Sequence, residues 1–236
     1  MIKHFLFDID GTLTPSRSVI DPSFKEFFYD FCVDHSVSLV TGSDYPKVLE
    51  QLGSGIEQLS VKIFCCNGND VWFKGTHINE STMFTLEEEA YAWLQQTLAQ
   101  SGFKHKTSKH FEFRHGMLNF SILGRAANRE ERMQYVSWDK ETKERQEIAS
   151  KFNTLFPKYS ASLGGETGLD IYLKGRNKAQ ILSWFTKEDK FIFFGDGVFP
   201  NGNDYPLAQA IQASKRGLVF SVASWKETYE TLYYFK

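Results

Sequence analysis

The sequence predicts an α/β chain, a Rossmann-like parallel-sheet core with an inserted α+β cap domain, and three observations predict it. Short apolar runs (HFLF at the start, VSLV near residue 38, KIFC near 63, KFIFF near 192) read as core strands. Segments with apolar residues at helical spacing separate them, and right-handed crossovers of that kind make neighbouring strands parallel. From about residue 80 the pattern changes to alternating strands grouped with helices and no parallel crossover, as in an α+β module. The expected organisation is a first core part over 1–79, a cap over 80–176 and a second core part over 177–236.

Taken in order, Ile2 to Phe7 form the first strand, and Gly11 stops it. SFKEFFYDFCVDH places Phe24, Phe27, Phe28 and Phe31 on one helical face, which packs on that strand. VSLVTGS is a strand, YPKVLEQLG a helix, KIFCCNG a third strand and NDVWFKGTHI a hairpin. In the cap, EEEAYAWLQQTLAQSG is a helix and FEFRHGMLNFSILGR an antiparallel pair with Arg114 and Arg125 at opposite ends. A long charged helix follows, opened by the capping box Asn128-Arg129-Glu130-Glu131, and YSASLGGETGLDIYLKG alternates again as strands. NKAQILSWF, KFIFFGD, DYPLAQAIQAS, RGLVFSV and SWKETYETLYYF then resume the core.

Composition excludes some classes of function. Of 236 residues, 24% are charged and 42% hydrophobic, and the net charge of −2 leaves no footprint for nucleic acid or an anionic membrane. The 22 Phe mark a bulky core rather than a chemistry. Cys32, Cys65 and Cys66 suit reduced, buried thiols better than a disulfide framework. No run approaches a membrane span and the opening is too short for a signal peptide, so a cytoplasmic location is expected. The histidines make no spaced metal-ligand set, and the basic tract from Lys104 to His110 reads as a solvated loop.

The chemistry begins at the end of the first strand. Asp8 and Asp10 straddle Ile9, and in extended chain residues two apart face the same side, so both acids address one site. Paired like charges need a cation, and Mg²⁺ prefers such oxygen ligands. Asp8 suits a nucleophile that attacks phosphorus to give an acyl phosphate, and Asp10 suits the acid and base that serves the leaving and attacking oxygens. KFIFFGD ends in Asp196 as the first strand ends in Asp8, so that both share one ion; Asp8, Asp10 and Asp196 are the expected metal set. Asn203 and Asp204 follow as further oxygen donors, or Asp204 simply caps the helix at Tyr205. In open parallel sheets the site lies beyond the carboxyl ends of the strands, where the Thr41-Gly42-Ser43 turn also falls, and either hydroxyl can take a phosphoryl oxygen. Arg132 lies in the first turn of its helix, where an arginine does not complement the helix dipole but an anion would. Pairing with Glu130 or Glu131 is the structural alternative.

DIDGTLTPSR resembles the first motif of the haloacid dehalogenase superfamily of aspartate-dependent phosphotransferases, and in particular that of the eukaryotic-type phosphomannomutases. SLVTGSDYPKVLEQLG, FRHGMLNFSILGR followed by EER, and FFGDGVFPNGND are similar to that family's later segments. The resemblance implies a cationic role for Lys178 beside Asp8, as the superfamily's third motif, and substrate binding by Arg17, Arg114, Arg125 and Arg132. It implies that Asp170 in GLDIY binds sugar hydroxyls.

The activity so implied is Mg²⁺-dependent interconversion of mannose 6-phosphate and mannose 1-phosphate. A hexose bisphosphate activator and a homodimer through the cap belong to the same expectation, as does one phosphate site at Asp8 and a distal one among the cap arginines. A sugar-phosphate phosphatase of the same fold is the alternative. A non-catalytic sugar-phosphate-binding protein should have lost an acid, and all three are present. The chain departs from the family pattern at Gly168, where a serine is usual, at Arg176-Asn177-Lys178, at Gly195-Asp196-Gly197-Val198, and after Asp204, where an acidic cation loop is missing.

Overall fold

A computed structural model describes residues 2–59 and 61–236. In chain order the first unit carries β1 (Lys3–Phe7), α1 (Pro22–Asp34), β2 (Ser36–Val40), α2 (Tyr45–Leu52), β3 (Lys62–Cys65), β4 (Asp70–Phe73) and β5 (Thr76–Glu80). Next come α3 (Glu88–Gln100), β6 (Phe111–Arg114), β7 (Met117–Phe120), α4 (Arg129–Thr142), α5 (Glu144–Leu155), β8 (Tyr159–Gly164) and β9 (Gly168–Leu173). The chain then gives β10 (Lys190–Gly195), α6 (Tyr205–Ala213), β11 (Gly217–Ser221) and α7 (Trp225–Leu232). Two compact units result, Met1–Ser81 with Arg176–Lys236, and Thr82–Gly175.

The core unit holds a seven-stranded sheet in the order β11-β10-β1-β2-β3-β4-β5. Its first five strands are parallel, and the β4–β5 hairpin adds two antiparallel edge strands. Alternate residues of β1 face opposite layers, which is why its buried stretch Phe5–Phe7 is apolar on both sides. Phe5 and Phe7 meet Phe31 and Phe28 of α1 edge-on, with ring centroids 4.9 and 5.2 Å apart. Leu6 packs on the other side with Phe191, Phe193, Ile181, Leu207 and Ile211. Each such side chain contributes roughly 1.5–3 kcal/mol on leaving water. Helix α1 starts where Asp21 accepts the Ser23 and Phe24 N–H groups and Pro22 supplies a preset φ.

The cap unit is a four-stranded antiparallel sheet, β6-β7-β9-β8, with three helices. Period-two alternation divides its faces. Leu118, Phe120, Leu169, Ile171 and Ala161 turn one way and pack with Leu94, Tyr135, Ile148 and Phe152 of the helices. The opposite face carries a row in register across all four strands: Glu112, Asn119, Asp170 and Ser162.

One local expectation is corrected. The long charged helix is two helices, broken at Lys143, which sits at φ 57 in the left-handed region. The Asp139 carboxylate accepts both the Arg145 N–H and its Nε, at 2.8 Å each, which holds the new direction of chain. The helix that begins at Lys178 is a 3-10 helix, Lys178–Trp184, with Asn177 Oδ1 accepting the Ala179 N–H. The Asn128–Glu131 capping box is present in both directions. Cys32, Cys65 and Cys66 are buried free thiols. No helix among the described residues is long and apolar enough to cross a membrane.

Candidate active site

The carboxyl ends of β1, β2 and β10 meet at one edge of the core sheet, and the chemistry-bearing side chains gather there. Asp8 leaves β1 with its N–H donated to Phe194 O at 3.0 Å. Lys178, wholly buried, donates from Nζ to Asp8 Oδ1 at 2.6 Å and to Asp204 Oδ1 at 2.7 Å. Asp204 Oδ2 in turn accepts Gly197 N–H at 2.9 Å. Asp204 therefore makes no side-chain cap to α6, because its oxygens are taken by Lys178 and the loop.

The carboxylates that converge among the described residues are Asp8, Asp196 and Asp204, each offering an oxygen within 4.8 Å of the others. This set differs from the expected one. Asp10 Oδ1 is turned to the Arg17 N–H at 2.6 Å and to Gln51 Nε2 at 3.0 Å, and Asp204 takes the third place. Gly11, at φ +83, presses against this set: a Cβ there would lie 2.3 Å from Asp196 Oδ2. The donors are all hard oxygens, so the set fits a small oxygen-binding cation such as Mg²⁺.

Electrostatics of the site say the same. Burial, followed by the charges of Asp204 and Asp196, raises the Asp8 carboxyl well above its ordinary range against the pull of Lys178. Burial and the Asp204 charge lift Asp196 to about 7. Burial alone would lower the Lys178 ammonium, but Asp204 and Asp8 more than offset it and the group stays charged. Three carboxylates converge here and Lys178 bonds two of them, so the acids outnumber this ammonium.

Thr41 follows β2, and its Oγ1 accepts the Ser43 N–H at 3.0 Å, which directs the hydroxyl proton elsewhere. Both Thr41 and Ser43 are buried. Arg17 is partly exposed, at φ 58. Thr12 Oγ1, Gln51 Oε1 and both amide atoms of Asn67 are buried with no hydrogen-bond partner among the described residues.

In the cap unit, Arg114 and Arg125 converge on one carboxylate, Glu112 Oε2, at 2.5 and 2.7 Å. Arg132 pairs with Glu166 at 2.6 Å, and Glu131 closes the capping box of α4. Asp170 is buried and accepts from Asn119 Nδ2 at 2.8 Å. At Gly168 a Cβ would lie 2.7 Å from Asn119 Nδ2, so the Asn119 amide fills the space that a serine would need.

Gln51, Glu112 and Asn119 were not singled out by the sequence. Gln51 did carry a signal: it lies among Tyr45, Val48 and Leu52 on the buried face of α2, where an amide must have a polar task.

A strand-end Asp8 bonded to a buried lysine and ringed by carboxylates, on this sheet order, defines a haloacid dehalogenase-like protein. In agreement, a solved haloacid dehalogenase-like hydrolase from Bacteroides thetaiotaomicron superposes with a TM-score of 0.58 at 14% identity, covering 100% of each chain. The family model described as eukaryotic phosphomannomutase matches residues 24–235, and the chain belongs to that family. Phosphomannomutase 1 of Dictyostelium discoideum is 33% identical over 97% of this chain and 96% of its own. Phosphomannomutase 1 of Homo sapiens is 32% identical over 94% and 88%.

Proposed function

We propose that the chain is a phosphomannomutase, interconverting mannose 6-phosphate and mannose 1-phosphate through an aspartyl phosphate on Asp8. The observation that carries this is the Asp8 carboxylate, bonded at 2.6 Å to buried Lys178 in a chain of this family. Asp8 Oδ attacks phosphorus in line while the sugar oxygen leaves. Lys178 keeps a fixed positive charge beside the transferring group, and its placement needs no reorganisation during reaction. Thr41, with Ser43, donates to phosphoryl oxygens. Asp10 protonates the leaving oxygen and takes a proton from the next attacking hydroxyl. Gln51 and the Arg17 N–H hold Asp10 Oδ1, and Oδ2 carries the proton. A bound Mg²⁺, held by Asp8 and Asp196 with Asp204, would supply the positive charge that one lysine leaves short.

In the cap, Arg114, Arg125 and Arg132 take the phosphate that is not being transferred, exchanging Glu112 and Glu166 for it, and Asp170 accepts from sugar hydroxyls. Arg17 binds substrate from the core. A hexose bisphosphate activator that primes Asp8, and a homodimer through the cap, belong to this proposal. Asp8→Asn tests it: a folded protein that forms no acyl phosphate and does not turn over is expected. More than a trace of activity in the purified, folded variant would remove Asp8 from its role.

A further inference from the structure

We propose that the Asn67 side-chain amide binds a hydroxyl of the sugar ring and so helps to select the hexose phosphate. Asn67 is 1% exposed, and neither its Nδ2 nor its Oδ1 has a hydrogen-bond partner among the described residues. A buried amide left unmet at both atoms loses its hydration without replacement, so a fold that keeps such an amide has a partner for it.

The backbone ties the residue to two segments of the candidate site. Asn67 follows β3 at the carboxyl edge of the sheet, and its N–H donates to Thr41 O at 2.8 Å. Its own carbonyl accepts Gln180 Nε2 at 2.8 Å, from the 3-10 helix that begins with Lys178. The residue is thus clamped between the two segments that supply Thr41 and Lys178. Cys66 and Asn67 both hold left-handed backbone, at φ 49 and 59, a cost that this placement imposes.

The chemistry of the two orphan atoms chooses the ligand group. One donates and the other accepts. A phosphoryl dianion only accepts, and would leave Oδ1 unmet. A hydroxyl both donates and accepts, and satisfies the whole amide.

This inference rests on the hexose phosphate reading, and the test separates the two. Asn67→Gly removes the amide while keeping a residue that adopts φ near +59 without strain. In the full-length protein with Mg²⁺, kcat/KM is measured for mannose 1-phosphate, for its monodeoxy analogues, and for acetyl phosphate, which has no hydroxyl. The expected result is a loss on mannose 1-phosphate at least about tenfold larger than on acetyl phosphate. One deoxy analogue should cost the wild type a similar factor and cost the variant nothing further. Should the glycine variant fail to fold, Asn67→Asp keeps the shape, removes the donor, and should show the same selective loss. Equal losses on both donors, or equal penalties for every analogue in both proteins, would overturn the assignment and mark Asn67 as structural. A wild type that consumes acetyl phosphate but no hexose phosphate would overturn the hexose reading itself, and this inference with it.

Discussion

Replacing Lys178 by methionine keeps the length of the stem and removes the one ammonium among Asp8, Asp196 and Asp204. Lys178 is wholly buried and bonded to Asp8 and Asp204 at 2.6 and 2.7 Å, so its loss leaves buried carboxylates facing each other with no cation. Breaking a buried pair from one side costs about 3–5 kcal/mol. For a chain of this size each kcal/mol is worth about 2–4 °C, so Tm should fall by roughly 6–20 °C. The deficit depends on pH in a definite direction. Without the lysine the native carboxyls hold protons to higher pH than the unfolded chain, whose acids ionise near 4. The native variant then binds more protons than its unfolded state from about pH 4 upward, and its stability falls as pH rises through that span. Toward pH 5 the protons taken up by the variant's carboxyls stand in for the lost ammonium, so the gap narrows. At pH 8 it is full. Thermal unfolding of both proteins at pH 5 and 8 without divalent metal reads this out. A gap equal at the two pH values, or no gap at pH 8, would refute the reasoning that Lys178 is the counter-charge of the site.

Asp196 titrates near 7 in the metal-free protein, so protons compete with Mg²⁺; the Tm increase on adding Mg²⁺ should be larger at pH 8 than at pH 6, and calorimetry at both pH values should show proton release on binding at the lower one. An equal increase at both would place the ion elsewhere. Arg125→Ala and Arg132→Ala should each lower kcat/KM for hexose phosphates at least about tenfold more than for acetyl phosphate, because their partners Glu112 and Glu166 and they themselves belong to the cap unit. Kinetics with the two donors checks this, and equal losses would mean that the pairs hold the fold instead.

Much of the fold was legible because burial writes itself into the strands. Residues on β1 and β10 are apolar on both faces, since α1 packs below Phe5 and Phe7 and the 178–184 helix and α6 lie against Leu6, Phe191 and Phe193. The cap strands alternate because only one of their faces meets helices. Asp8, Lys178 and Asp196 were legible as strand-end and helix-start residues of a motif. What was not legible depends on neighbours in space. Asp204 read equally as an oxygen donor or as a helix cap, and only the structure brings it to Lys178, which lies in a different element. Glu112, Asn119, Asp170 and Ser162 form one row only once the register of four strands is known. The break at Lys143 carries no Gly or Pro, so no local signal announces it; the turn is fixed by Asp139 and Arg145 across it.

The central claim is that phosphate captured by Asp8 returns to a sugar rather than to water. Mannose 1-phosphate supplied with Mg²⁺ and a trace of hexose 1,6-bisphosphate, with mannose 6-phosphate and free phosphate followed together, tests it most directly. The account predicts that mannose 6-phosphate forms faster than free phosphate and that added bisphosphate accelerates its formation. Phosphate release that outpaces isomer formation, unchanged by added bisphosphate, would contradict it and make the chain a sugar-phosphate phosphatase.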